Sequence, residues 1–213
     1  MITHKQIVDI VAELYSDDPQ GFADLLWPEA DDGVMAGLMR IDDTDLVVFR
    51  GSVTIQDWAR DLYTIPHETT NHPELGDVHA GFMLGMDDAF AHISPLLRTK
   101  VIVSGHSLGA GRASLFTGLL VAAGGNQDIS TVVFGEPRSG CQTLKTLLRR
   151  IEYTSYRNAD PSGAGHDVIS DVPTSPPFTH NRVLTDVFAA PAPDDPWLMF
   201  RYHHCSLYQQ ALA

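Results

Sequence analysis

Val101-Ile102-Val103-Ser104-Gly105-His106-Ser107-Leu108-Gly109-Ala110 decides the fold. Three β-branched apolar residues run into Gly-x-Ser-x-Gly, and a long helix-forming stretch follows to about Ala123, where Gly124-Gly125 supplies a C-terminal stop. That order predicts strand, tight turn, helix. The turn holds Ser107 in a strained backbone with its hydroxyl standing clear at the end of the strand, as a nucleophile requires. Gly105 and Gly109 flank it because a Cβ at either position would collide where strand and helix cross. The plain alternative is an incidental glycine-rich turn, but the buried strand before it and the helix after it favour the nucleophile.

Working outward, the N-terminal segment Thr3-x-x-Gln6 reads as a capping box that opens a helix with Ile7, Val11 and Leu14 on one face. Asp18-Pro19 predicts a second short helix through Phe22 to Leu26. Val34 to Ile41 reads as a strand, Asp42 to Asp45 as a turn, and Leu46 to Phe49 as a buried strand. Ile55, Trp58, Ala59 and Leu62 fall at helical spacing, and Ile65 to Asp77 reads as loop. The spacing of Phe82, Met86, Phe90, Ile93 and Leu97 predicts a helix that leads into the Val101 strand. Thr131 to Phe134 is the next strand, Cys141 to Arg150 a helix and Ile151 to Tyr156 an extended segment. Asn158 to Pro196 reads as long irregular connection, and His204 to Ala213 as a closing helix. Nearly all-apolar strands alternating with helices imply a mostly parallel central sheet with helices on both faces.

Bulk properties limit the function. The chain has 213 residues, enough for one domain with a sizeable core, and its formal net charge of −13 argues against nucleic acid and anionic lipid headgroups as partners. Its two cysteines, Cys141 and Cys205, form no disulfide framework. No segment is long and apolar enough to span a membrane, and no basic-then-apolar leader opens the chain, so as written it reads as cytoplasmic; a trimmed signal would make it secreted.

A serine at such a turn needs a histidine to take its proton and a carboxylate to orient that histidine, in the chain order Ser, acid, His. Downstream of Ser107 the carboxylates on plausible strand-end loops are Glu136, Asp160, Asp167 and Asp171, and the histidines are His166, His180, His203 and His204. Residue chemistry alone leaves the choice open.

Five separated segments resemble the class 3 lipases, the fungal triacylglycerol lipases and feruloyl esterases with their plant and bacterial relatives. They are Val48-Phe49-Arg50-Gly51-Ser52 continuing to Trp58-Ala59-Arg60-Asp61-Leu62, Val78-His79-Ala80-Gly81-Phe82, Gly105 to Gly109, Phe134-Gly135-Glu136-Pro137-Arg138-Ser139-Gly140, and Asp167-Val168-Ile169-Ser170-Asp171-Val172-Pro173. They keep the family's order and cover roughly residues 34 to 173. The resemblance implies a single α/β-hydrolase domain over residues 1–213, with Ser107 as nucleophile and the Leu108 backbone N–H and Ser52 as the oxyanion hole. It implies Asp167 as the acid, from the apolar residue after it and Pro173 six positions on. Asp160, nearer to Tyr156-Arg157-Asn158, is the alternative, with Pro161 to His166 then counted as an insertion. For the base it implies His203, five residues before Tyr208, or His204, four before it; His203 is preferred.

The activity so implied is a serine carboxylic ester hydrolase that works through an acyl-enzyme on ester or lipid substrates, with no metal or organic cofactor. Phospholipase A1, feruloyl esterase and acyltransferase are alternatives on the same site, and a catalytically silent binding domain is a more distant one. The Ile55/Trp58/Leu62 stripe reads equally as surface helix or as a lid that meets a lipid interface transiently. His67, His72 and His79 match no zinc spacing and read as solvated or structural, and His203-His204-Cys205 reads as base plus neighbours.

Overall fold

The structure, a computed structural model, describes residues 2–16, 25–27, 36–51, 69–124, 128–195 and 198–213. In chain order the elements are α1 (His4–Glu13), β1 (Leu25–Trp27), β2 (Ala36–Ile41), β3 (Thr44–Phe49), β4 (Thr69–His72), β5 (Gly76–His79), α2 (Ala80–Met83), α3 (Met86–Ile93), β6 (Lys100–His106), α4 (Leu108–Ala123), β7 (Asp128–Phe134), α5 (Gln142–Leu148), β8 (Glu152–Asn158), β9 (Leu184–Val187) and α6 (Cys205–Ala211). Short 3₁₀ turns lie at Ser94–Leu96, Val168–Asp171 and Leu198–His203.

Among the described residues, one sheet runs in the order β1-β2-β3-β6-β7-β8-β9. It is parallel from β3 to β9 and antiparallel across β1, β2 and β3. This is the mostly parallel sheet with two covered faces that the strand composition implies. Alternation along each strand sorts the core into two layers. Val47 and Phe49 join Phe82, Met86 and Phe116 on one face, while Leu46, Val48 and Phe134 join Ile7, Val11 and Tyr208 on the other. The first layer packs beneath α2 to α5 and the second beneath α1 and α6. α4 is buried along most of its length, so it runs through the core.

Several expectations hold. The Thr3–Gln6 capping box forms in both directions, and α4 ends on Gly124 in the left-handed region at φ 67. Others are corrected. Leu25 and Leu26 lie in β1 and pair with β2, so a helix through Leu26 does not form there; residues 18 to 24 lie outside the described residues. The stretch read as loop up to Asp77 contains the β4–β5 hairpin, whose polar Thr69-Thr70-Asn71-His72 strand carries no apolar alternation for a sequence reading to catch. The single helix expected from Phe82 to Leu97 is two helices, broken at Leu84 and by Gly85 at φ 73. The long connection after Asn158 contains β9, a four-residue edge strand paired in parallel with β8.

Candidate active site

β6 delivers the nucleophile candidate. Ser107 has φ 61 and ψ −129, one of two non-glycine residues with positive φ among those described. Strain of this kind persists only where surroundings impose it. Here the Ser107 N–H donates to the Phe134 carbonyl at 3.1 Å, and the N–H groups of Ala110 and Gly111 donate to its own carbonyl at 2.9 and 3.2 Å. A Cβ on Gly105 would lie 2.4 Å from the Gly109 carbonyl, as the close strand–helix crossing requires. A Cβ on Gly109 would meet the Phe49 carbonyl at 2.1 Å, so that glycine lets the end of β3 close on α4. Leu108 is the first residue of α4, where a backbone N–H has no intrahelical acceptor and the helix dipole is positive.

The acid and base candidates meet across β7. Asp167 follows the β8 end and is anchored by its own N–H, which donates to the Asn158 carbonyl at 2.8 Å. Its Oδ1 accepts from the Ile169 N–H at 3.0 Å. Its Oδ2 lies 2.6 Å from His203 Nδ1 and also accepts from the Tyr208 hydroxyl. A carboxylate can only accept, so His203 carries its proton on Nδ1 and presents a lone pair at Nε2. That Nε2 and the Ser107 Oγ are both buried, and neither has a hydrogen-bond partner among the described residues. Gly135 makes the meeting possible: at φ 57 it has no side chain, and a Cβ there would lie 2.6 Å from Asp167 Oδ2 and 2.7 Å from His203 Cε1.

The alternatives lie elsewhere. Residues 159 to 166 fold out as a small turn closed by the Ala159–His166 bridge and by the Asp160 N–H donating to the Gly165 carbonyl at 2.8 Å. Asp160 caps that turn through Ser162 and stands apart from His203. His204 Nε2 lies 2.7 Å from Asp195 Oδ2. His166 pairs with Asp171 at 2.7 Å, and His180 receives the Arg138 guanidinium at 3.3 Å. Burial lowers the His180 imidazole to about 4, and the Arg138 charge adds to the effect. His72 lies against Glu74 and Asp87 at 3.0 and 3.3 Å, and His79 caps α2 and stacks on Phe82. No group of three or more metal-ligating side chains occurs among the described residues. Ser52, Ile55, Trp58, Leu62 and His67 lie outside them.

Three features were missed in the sequence. Tyr208 serves there only as a spacing marker, yet it donates to Asp167 and accepts from the Asn158 N–H at 3.1 Å. Burial, with the Asp167 charge next, pushes its phenol well above the ordinary tyrosine value and keeps it a donor. His106 stacks on His203, with centroids 4.5 Å apart. Glu136 is buried under Ser114, Tyr153 and Asn181. An aromatic five residues after a histidine, or a glutamate inside Gly-Glu-Pro-Arg, gives no sequence sign of these contacts.

Comparison with known proteins bears on the family and the fold. Residues 46–176 match the family model described as lipase (class 3). The chain is 27% identical over 143 residues to a secreted mono- and diacylglycerol lipase of Gibberella zeae, a match covering 55% of this chain and 35% of that protein. The chain therefore spans about a third of that relative's length. Among solved structures it superposes on a triacylglycerol lipase whose catalytic centre is a serine-protease triad, with TM-score 0.67, 21% identity and coverage of 88% of this chain and 81% of that one. It also superposes on the mono- and diacylglycerol lipase of Aspergillus oryzae, with TM-score 0.66, 19% identity and coverage of 90% and 80%. The shared architecture is the α/β-hydrolase fold. No helix among the described residues is long and apolar enough to cross a membrane.

Proposed function

The chain belongs to the class 3 lipase family, and from that premise we propose that it hydrolyses carboxylic esters of acylglycerols through a Ser107 acyl-enzyme. One observation carries the reading: His203 is held by Asp167 at 2.6 Å through Nδ1, while its Nε2 and the Ser107 Oγ are left buried and unsatisfied by the described residues. Buried polar atoms are nearly always paired, so an unpaired nucleophile candidate and an unpaired base nitrogen call for an explanation, and a reacting group that both would engage supplies one.

The steps follow from the groups. Ser107 Oγ attacks the ester carbonyl as His203 Nε2 takes its proton, and Asp167 stabilises the imidazolium that forms. The Leu108 N–H at the head of α4 and Ser52 receive the developing oxyanion. His203 then passes its proton to the leaving alkoxide, and water enters by the same route to release the acid and restore the serine. The named activities of the relatives, on mono-, di- and triacylglycerols, favour this substrate class over phospholipids, feruloyl esters or acyl transfer. The secreted Gibberella zeae relative likewise favours a secreted over a cytoplasmic protein.

The test is hydrolysis of p-nitrophenyl esters from acetate to palmitate beside monoacylglycerol, methyl ferulate and phosphatidylcholine, for the wild type and Ser107→Ala. Turnover of the acyl esters that Ser107→Ala abolishes, with its melting temperature retained, is expected. An alanine variant keeping more than roughly a hundredth of wild-type kcat refutes the nucleophile, because loss of a nucleophile costs orders of magnitude.

A further inference from the structure

His106 ends β6 immediately before Ser107 and is 2% exposed, and each of its ring nitrogens has a polar partner. Its Nε2 lies 2.8 Å from the backbone carbonyl of His203. A carbonyl only accepts, so Nε2 carries the proton. Burial holds the His106 imidazole well below its ordinary value and the neighbouring His203 adds to this, so the ring is neutral and Nδ1 keeps its lone pair. Tyr15, just past the C-terminal end of α1, places its hydroxyl 3.0 Å from that Nδ1 and 3.3 Å from the His106 backbone carbonyl, so its proton has the nearer Nδ1 as first acceptor and the carbonyl as second. The phenol oxygen packs directly against the Gly51 backbone. A Cβ on Gly51 would lie 2.1 Å from this oxygen, so the glycine of Arg50-Gly51-Ser52 is what admits the phenol.

We propose that His106 and Tyr15 are positioning residues for the reaction: a chain of hydrogen bonds from the Tyr15 hydroxyl through the His106 ring to the His203 carbonyl sets the base against the nucleophile that follows His106. This rests on the ester-hydrolase reading above. The His203 carbonyl at its end can only accept, which fixes the His106 tautomer. The chain of bonds reaches a base that ends the 3₁₀ turn Leu198–His203, where the preceding Tyr202 carbonyl is held by Asn158 Nδ2 at 3.3 Å. The rings of His106 and His203 also stack at 28°. When His203 takes the serine proton, its new charge lies over a neutral π face that does not compete for the proton.

The test uses the full chain, p-nitrophenyl butyrate kinetics, thermal unfolding and NMR of the imidazole nitrogens. Glutamine places an amide N–H where His106 Nε2 stands, so His106→Gln is expected to keep kcat within about threefold, whereas His106→Asn, which loses the bond to His203, lowers kcat about tenfold or more with KM nearly unchanged, in line with one positioning hydrogen bond. Tyr15→Phe is expected to lower kcat about threefold in the wild type and to cost nothing further in the His106→Gln background, since coupled residues are non-additive. In the spectra, His106 is protonated at Nε2 alone at neutral pH, and the downfield Nδ1–H resonance of His203 moves in His106→Asn and stays in His106→Gln. Equal loss of melting temperature in all variants with unchanged kcat, additive effects, or a His106 protonated at Nδ1 overturns the proposal. Failure of the ester-hydrolase reading is separate: the wild type then turns over no more ester than Ser107→Ala, while the tautomer and the His203 resonance still decide for or against the chain.

Discussion

Asp167 and Glu136 are both enclosed carboxylates, 0% and 3% exposed, both beside Gly135 and both gathering hydrogen bonds, yet only one of them faces an imidazole. Glu136 Oε1 accepts from Ser114 Oγ at 2.5 Å and from Tyr153 Oη and Asn181 Nδ2 at 2.6 Å each. Those donors come from α4, β8 and the segment before β9, so the carboxylate ties three parts of the chain to the end of β7. None of them accepts a proton in ordinary chemistry. Asp167 also has two neutral donors, Ile169 and Tyr208, but its third partner is an imidazole whose other nitrogen has no partner among the described residues. Burial raises the Glu136 carboxyl above its ordinary 4.5, with the hydrogen-bond donors around it, Ser114 first, pulling it back. A perturbed buried acid is therefore a poor guide to the reacting site by itself. A partner that can exchange a proton is the better mark of a candidate.

The comparison breaks most sharply under substitution. Asp167→Asn is expected to lower kcat by about 10⁴, as loss of the orienting acid leaves the imidazole in the wrong tautomer. Steady-state kinetics with thermal unfolding checks this, and the melting temperature should fall less than in Glu136→Ala. Glu136→Ala strands three donors and opens a cavity, so it should cost about 3 kcal/mol in unfolding free energy while kcat of the folded fraction stays within about tenfold. The reverse ranking would mean that the roles of the two carboxylates are exchanged.

A smaller effect sharpens the contrast through pH. Because the folded carboxyl of Glu136 is raised, the native state binds more protons than the unfolded state once pH exceeds about 4.5, and stability falls as pH rises through the folded value. Glu136→Gln removes that titration. Urea unfolding of the wild type and this variant at acid and neutral pH should show the wild type losing ground as pH rises. A constant difference between them would mean that the donors around Glu136 compensate burial fully.

How much of this was legible in the sequence follows the range of the forces involved. The strand–turn–helix around Ser107 was readable because apolar β-branched residues, two glycines and a helix stop lie within one window. The family resemblance favours Asp167 over Asp160 through its spacing to Pro173, and the turn closed by Ala159 and His166 sets the two apart: it loops Asp160 out and returns the chain to Asn158, so that Asp167 is the one beside His203. The β4–β5 hairpin and β9 were not legible, being short, polar or half-exposed strands whose partners are set by tertiary packing. The Tyr15–His106–His203 chain joins residues 91 and 97 positions apart, beyond any local pattern.

The smallest expected effect is that of Asp160→Asn. Asp160 Oδ1 accepts the Ser162 N–H at 2.8 Å together with the Ser162 hydroxyl, and these two bonds, the hydroxyl first, hold its carboxyl below the ordinary aspartate value. An asparagine keeps a carbonyl oxygen in the same place and supports the same turn, so kcat should stay within about twofold of wild type. One path from Asp160 to the site is the Tyr202 hydroxyl, 3.4 Å from Asp160 Oδ2 and one residue before His203. At that length the contact is weak, and the Tyr202 backbone is held independently by Asn158. Steady-state kinetics on p-nitrophenyl butyrate checks the outcome. A loss of tenfold or more, with the fold intact, would mean that the turn steers His203 through Tyr202, and Tyr202→Phe should then reproduce it.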